Sequence, residues 1–267
     1  MTPFRFARGS TPLLISVPHP ATFVPDEIAA RMTDAGRAVA DTDWHVDRLY
    51  EFARALGANL LIATHSRYVV DLNRSPDGVP LYDDASNTEI CPGTSFAHEP
   101  IYRPGAALDD AEIGQRIATY WRPYHDTIRS VLDRLVASHG VAVLLDAHSV
   151  ASRVPRFFEG RIQDINLGTA GGAACDPDLA AGLLALAERS GYSAVLDGRF
   201  RGGYITRHYG RPAERIHAIQ LELSWATYLD EAAPSVWDKG RAQHVMDRAL
   251  QPITEALLQW ARASQVA

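Results

Sequence analysis

Two histidines follow short apolar runs in this 267-residue chain. His19 lies in SVPHPATF, just after Leu13-Leu14-Ile15, and His148 comes near the end of VAVLLDAHSV. The prolines on either side of His19 stiffen the backbone and remove neighbouring donors, so the imidazole is held in a fixed direction with little local competition. Both histidines fall at the carboxyl end of a candidate strand, where open α/β sheets collect their ligands. A carboxylate to join them is offered by DTDWHVDRLY, where Asp43 and Asp47 are four residues apart on one face of an expected helix. Thr42 or Asp43 suits the N-cap, whereas Asp47 lies too deep for capping. Two imidazoles and a carboxylate are the protein donors of a catalytic zinc site whose fourth position is left for water. The expectation is therefore one divalent metal, zinc first, on His19, Asp47 and His148. The same donor types accept cobalt, manganese or nickel.

Two further stretches bear on what such a metal would act upon. In SRYVVDLNRSP, Asn73 and Arg74 follow a candidate strand and precede a Ser-Pro turn. An arginine fork matches a carboxylate with two parallel hydrogen bonds and a neighbouring amide adds a donor, so either a substrate carboxylate or an internal partner, Asp71 or Asp77, takes Arg74. In HAIQLELSWATY, Glu222 interrupts an apolar strand. It points either to solvent or into a cleft, where desolvation would raise its proton affinity toward that of a general base.

The elements that must position these residues are legible as apolar runs and helical periods. Strands are expected at 13–17, 59–63, 68–72, 141–146, 192–196 and 217–223, and helices at 44–56, 109–138, 177–190 and 236–263. Their alternation predicts an α/β fold of three α/β/α layers around a central mixed, mostly parallel sheet. Two long irregular stretches, 75–108 and 150–176, interrupt it and carry Arg103, Arg153 and Arg161; loops of that length in a compact domain are commonly functional. The length suits a single domain over 1–267.

Composition narrows the function classes. The net charge of −6, with no basic stripe, gives no electrostatic support for nucleic-acid binding. Cys91 and Cys175 are too few for a disulfide framework and lack the paired spacing of a thiolate zinc site, which points to a reducing compartment. MTPFRFARGS has no apolar signal-peptide core and nowhere do 18 apolar residues run together, so a cytoplasmic protein without a membrane segment is expected.

Taken in order, SVPHP, DTDWHVDRLY, SRYVVDLNR, IYRPG, RPYHDTI, DAHS, RGGY and LELSWATY resemble the N-formylglutamate amidohydrolase (N-formylglutamate deformylase) family of histidine degradation over nearly the whole chain. That family is similar to the zinc-carboxypeptidase and aspartoacylase type, a zinc-exopeptidase-like, phosphorylase/hydrolase-like α/β/α fold. The resemblance implies a metal-dependent hydrolase of a small substrate bearing carboxylates. It implies metal ligands His19 and His148 with Asp47, or else Asp43, as the carboxylate, Glu222 as general base, Arg67 as the group polarising the scissile carbonyl, and Asn73 with Arg74 as a carboxylate clamp. Arg103 or Arg153 would hold a second carboxylate, and Tyr102 and Tyr204 would close over the substrate where Gly203 lets a loop approach. The readings that compete are a related amidase or carboxypeptidase acting on another N-acyl amino acid, and a binder of acidic metabolites without turnover. Oligomeric state is not legible.

Overall fold

The computed structural model describes residues 2–81 and 87–264. Its strands are β1 (Phe4–Ala7), β2 (Leu13–Val17), β3 (Asn59–Ala63), β4 (Ala142–Val150), β5 (Ile165–Gly168), β6 (Ala194–Leu196) and β7 (Ile216–Ser224). They form one seven-stranded sheet in the order β1-β3-β2-β4-β7-β5-β6. The central strands β3, β2, β4 and β7 run parallel; β1 pairs antiparallel with β3, and β5 antiparallel with β7. This is the mixed, mostly parallel sheet expected of the α/β pattern.

The helices are α1 (Asp26–Ala29), α2 (Asp34–Arg37), α3 (Val46–Leu49), α4 (Asp110–Arg116), α5 (Arg122–His139), α6 (Pro177–Arg189), α7 (Tyr204–Tyr209), α8 (Lys239–Val245) and α9 (Gln251–Ser264). Strand side chains alternate between two faces. Leu13, Ile15, Val17, Val143, Leu145, Ile219 and Leu221 pack under α3, α6, α8 and α9. Leu14, Leu61, Ala142, Leu144 and Ala218 pack on the opposite face under α5 and α7. By the same alternation Asp146 and His148 of β4, and Gln220 and Glu222 of β7, belong to the α5 and α7 side.

Each of the two longest helices expected from periodicity, over 109–138 and 236–263, is split by a π turn, Ile117–Trp121 between α4 and α5 and Met246–Leu250 between α8 and α9. Both turns come just before a proline, Pro123 and Pro252. A proline ring has no N–H and collides with the carbonyl four residues earlier, and the wider π turn makes room for it without breaking the helix.

Other expectations changed. Residues 68–72 form turns rather than a strand; Tyr68 and Val69 are buried instead against Ile28, Met32, Ile101 and Tyr102. The helix expected over 44–56 shrinks to α3 and the 3₁₀ turn Glu51–Arg54, because His45 takes a left-handed backbone (φ 61°). The stretch 150–176 contains β5, and residues 82–86 of the other irregular stretch lie outside the described residues. Among the described residues no helix is long and apolar enough to cross a membrane.

Candidate metal centre and catalytic cavity

The parallel strands end together, and their ends build the site. His19 follows β2 by two residues, with its carbonyl accepting the N–H of Asp43 at 2.9 Å. His148 lies in β4 directly opposite Glu222 of β7. Asp43 arrives from the loop between α2 and α3, a segment bracketed by two left-handed residues, Val39 (φ 43°) and His45. The two imidazole rings are 5.0 Å apart, and His19, Asp43 and His148 each present a ligand atom within 4.8 Å of the others. Asp47, the carboxylate expected here, is carried out of the site by the left-handed turn at His45 and pairs with Arg5 at 3.2 Å. The acid that capping explained away is thus the one beside the histidines.

Each imidazole is backed by a buried carboxylate on its outer nitrogen: His19 Nε2 lies 2.8 Å from Asp71 and His148 Nε2 lies 2.9 Å from Asp146. Such backing fixes the proton on Nε2 and turns the Nδ1 lone pair inward, as carboxylate–histidine–metal triads do. Both Nδ1 atoms face Asp43, at 3.7 Å for His19 and 3.0 Å for His148. His19 Nδ1 is buried with no hydrogen-bond partner. An unpartnered lone pair aimed at a carboxylate in a dry site is costly unless a cation lies between them, so the donor set fits a metal ion.

The charges agree. Burial alone would raise Asp43, yet the hydrogen bond with His148 and the neighbouring His19 imidazole hold it well below the usual carboxylate range. Asp71 likewise lies low, against its burial, chiefly because of Arg67. Burial would lower His148, but Asp146 and Asp43 together raise it well above an ordinary imidazole. A pocket of carboxylates that retains a proton so firmly is one that attracts positive charge. Glu222 is 7% exposed, and burial pushes it up to about 8, with Asp43 and Asp146 adding to the rise and His148 and Arg67 opposing it. Gln220 steadies it, donating from Nε2 to Glu222 at 3.3 Å while its carbonyl accepts the Gly203 N–H at 2.8 Å.

A cavity of about 50 Å³ opens onto these groups, with Arg67, Arg74 and Asn73 on its polar wall and Phe96, Phe157 and Phe200 on the other. Residues 11–229 match the family model for N-formylglutamate amidohydrolase. The chain belongs to that family. N-formylglutamate deformylases of Pseudomonas aeruginosa and Pseudomonas putida are 50% and 46% identical to it, over 96% of this chain and 96% and 95% of theirs. The crystal structure of N-formylglutamate amidohydrolase from Ralstonia eutropha JMP134 superposes with a TM-score of 0.86 at 26% identity, covering 99% of this chain and 100% of that one. An Agrobacterium tumefaciens gene product shares the fold, with a TM-score of 0.70 at 19% identity. As a member of the N-formylglutamate amidohydrolase family the chain is a hydrolase, and its His19, Asp43 and His148 form a group able to bind a metal.

The remaining expected residues divide. Arg67 is buried, with one branch bonded to Asp71 at 2.7 Å and the other near Asp43 at 3.4 Å, so it orients two carboxylates of the centre as well as lining the cavity. Asn73 donates to Asp146 at 3.1 Å and accepts from the Ile205 N–H at 2.8 Å; its amide holds the centre and the α7 terminus together rather than standing open for a substrate. Arg74 makes no ion pair among the described residues; its Nε bonds Thr88 Oγ1 at 3.0 Å and its Nη1 the Asn73 carbonyl at 2.9 Å, and it lines the cavity. Gly203 packs so close that a Cβ there would lie 2.3 Å from the Asn73 side chain.

Tyr102 and Arg103 are elsewhere, because a bridge between Met32 and Tyr102 ties their segment to the turns around α2. Tyr102 accepts from Arg116 at 2.8 Å, and Tyr102 and Arg103 line a different cavity beside Cys91. Tyr204 opens α7 with its ring against Trp121, His125 and His208. Arg153 lines a neighbouring cavity. Asp71, Asp146, Gln220 and the three phenylalanines were not among the expected site residues, and Asp43 stood there only as the alternative to Asp47. The signal for Asp146 was present in DAHS, since residues two apart on a strand share a face.

The pKa directions set a pH dependence for stability. His148 is raised, so its contribution is complete below the ordinary imidazole value and is lost as pH rises through its folded value. Glu222 is raised from 4.5 to about 8, so the protonated form favours the folded state and this contribution drains away between those values. The chelated protein should therefore lose Tm steadily from pH 6 to 9, while a bound divalent cation takes over the protons' role. The gap between loaded and chelated Tm is expected to widen over that range. A pH-independent gap in paired melting curves would contradict this account.

Proposed function

We propose that residues 1–267 act as one unit that hydrolyses N-formyl-L-glutamate to formate and L-glutamate, the deformylation step of histidine degradation, with a divalent metal, zinc in the first instance, on His19, Asp43 and His148. The observation that carries this reading is the pairing, in one cavity, of that inward-facing donor set with a buried carboxylate directly across from His148. The names of the Pseudomonas relatives supply the substrate. The free, buried Cys91 and Cys175 suit a reducing cytoplasmic setting.

Bound there, the metal would supply Lewis-acid polarisation and lower the pKa of water toward about 7. Glu222, its proton affinity raised by burial, accepts the proton from the attacking water as the oxygen bonds to the formyl carbon. Gln220 holds the carboxylate in place during that transfer. The C–N bond then breaks, and Glu222 returns the proton to the departing amine, which leaves as glutamate while formate departs with the new oxygen. Arg67 places positive charge beside the developing oxyanion, and Arg74 takes a substrate carboxylate in a charge-assisted hydrogen bond.

Formate release measured on the metal-analysed enzyme, before and after exhaustive chelation, tests the reading. One tightly bound ion per chain, loss of turnover on its removal and recovery on readdition are expected. Full activity in the metal-stripped protein, or no formate from N-formylglutamate in the loaded one, would refute it.

A further inference from the structure

Next to the catalytic cavity lies a second one of about 200 Å³, walled largely by Ala97, Ala151, Val154 and Trp225 with the exposed Arg153 at its rim. Phe96, Ser149 and Val150 line both cavities. We propose that Phe96 and Val150, with Ser149 between the metal group and the second cavity, form a partition that limits the acyl group to a single carbon. This inference rests on the N-formylglutamate reading and adds to it the residues that set acyl size.

The partition is built to stay closed. Val150 lies two residues beyond His148 on the same face of β4, so its side chain stands next to the ligand imidazole. Ser149 is fixed from both ends, its N–H 3.2 Å from Asp43 and its hydroxyl 2.7 Å from the Tyr228 hydroxyl. The Phe96 N–H donates to Asp41 at 2.9 Å, and the Arg67 guanidinium lies over its ring, 4.8 Å from the centroid. Since Arg67 also reaches Asp43 and Asp71, the ring is one side chain away from the metal group. Phe157 meets Phe96 edge to face at 4.7 Å, and Arg156 bonds Thr94 Oγ1 and the Ser95 carbonyl, joining the two loops that carry these rings.

A formyl group places only a hydrogen beside the scissile carbon, whereas an alkyl chain there would meet Phe96 in the cavity wall. Behind the partition the space is larger and its walls are mostly apolar, which is the environment an aliphatic acyl chain would enter once the ring is gone.

The test is the ratio of kcat/KM for N-acetyl- and N-butyrylglutamate to that for N-formylglutamate, in the wild type, Phe96→Ala, Val150→Ala, Ala151→Leu and Phe96→Ala/Ala151→Leu. Both partition variants are expected to raise the butyryl-to-formyl ratio by at least ~10-fold, the lower end of what a methylene's accommodation in an apolar pocket is worth. Ala151→Leu, which fills space in the second cavity and lines no part of the catalytic one, should leave formyl turnover unchanged and cancel most of the gain in the double variant. The ratio is internal to each preparation, so a fraction of misfolded protein does not imitate the effect. Wild-type ratios in both single variants, or a gain that survives Ala151→Leu, would overturn the partition. Absence of formate release by the loaded wild type would instead overturn the substrate assignment.

Discussion

Glu222→Gln is expected to lower kcat by ~10²–10⁴-fold while the chain keeps its metal and its fold. The amide matches the carboxylate in shape and can still meet Gln220, but it cannot take a proton from water at any working pH. Glu222 lies across from His148 without being one of the converging ligand atoms, so metal content should match the wild type. KM should change little, because the interaction removed is made during proton transfer and not in the ground state. The variant also removes the Glu222 contribution to the pH dependence of stability, so its chelated form should lose Tm less steeply from pH 6 to 8. Undiminished kcat in Glu222→Gln would assign proton transfer to another group. Loss of metal would make Glu222 part of the ligand set.

The second large effect is a contrast between two neighbouring acids. Asp43→Asn should release the metal and abolish measurable turnover, whereas Asp47→Asn should keep both within about two-fold. Asp43 is buried at the meeting point of His19, His148, Arg67 and the Ser149 N–H, and losing its charge removes a ligand and leaves Arg67 with one carboxylate fewer. Asp47 loses only a pairing with the exposed Arg5, and pairs of that kind are worth ~0–1 kcal/mol. Metal analysis and kcat on the two purified variants decide the matter, and the opposite pattern would return the ligand role to Asp47.

That contrast shows what a linear sequence conveys and what it hides. The strand-end positions of His19, His148 and Glu222 were legible because apolar runs mark parallel strands and parallel strands end on one side. The choice of Asp43 over Asp47 was hidden because it depends on left-handed backbone at Val39 and His45, which the sequence around them does not announce. Helical spacing therefore assigned both acids to one face of a helix that in fact begins only at Val46. β1 and β5 escaped notice for another reason: at four residues each they are too short for alternation to register, and β5 is recognisable by its pairing with β6 and β7. Tyr102 and Tyr204 lay in stretches matching the family, but their positions follow from packing against Arg116 and Trp121, contacts between segments far apart in the chain.

The π turn at Ile117–Trp121 ties these distant contacts to a strict residue count. On its N-terminal side Arg116 is anchored to Tyr102 and the Val69 carbonyl; on its C-terminal side His125 holds the Leu72 carbonyl, immediately before Asn73. The surplus residue in the turn rotates one half of the rod relative to the other so that both anchors meet their targets. Substitutions along this rod can be absorbed locally, but shortening it by a single residue would unscrew one anchor by roughly a quarter turn and shift Leu72 with the adjoining Asn73, whose amide holds Asp146 behind His148.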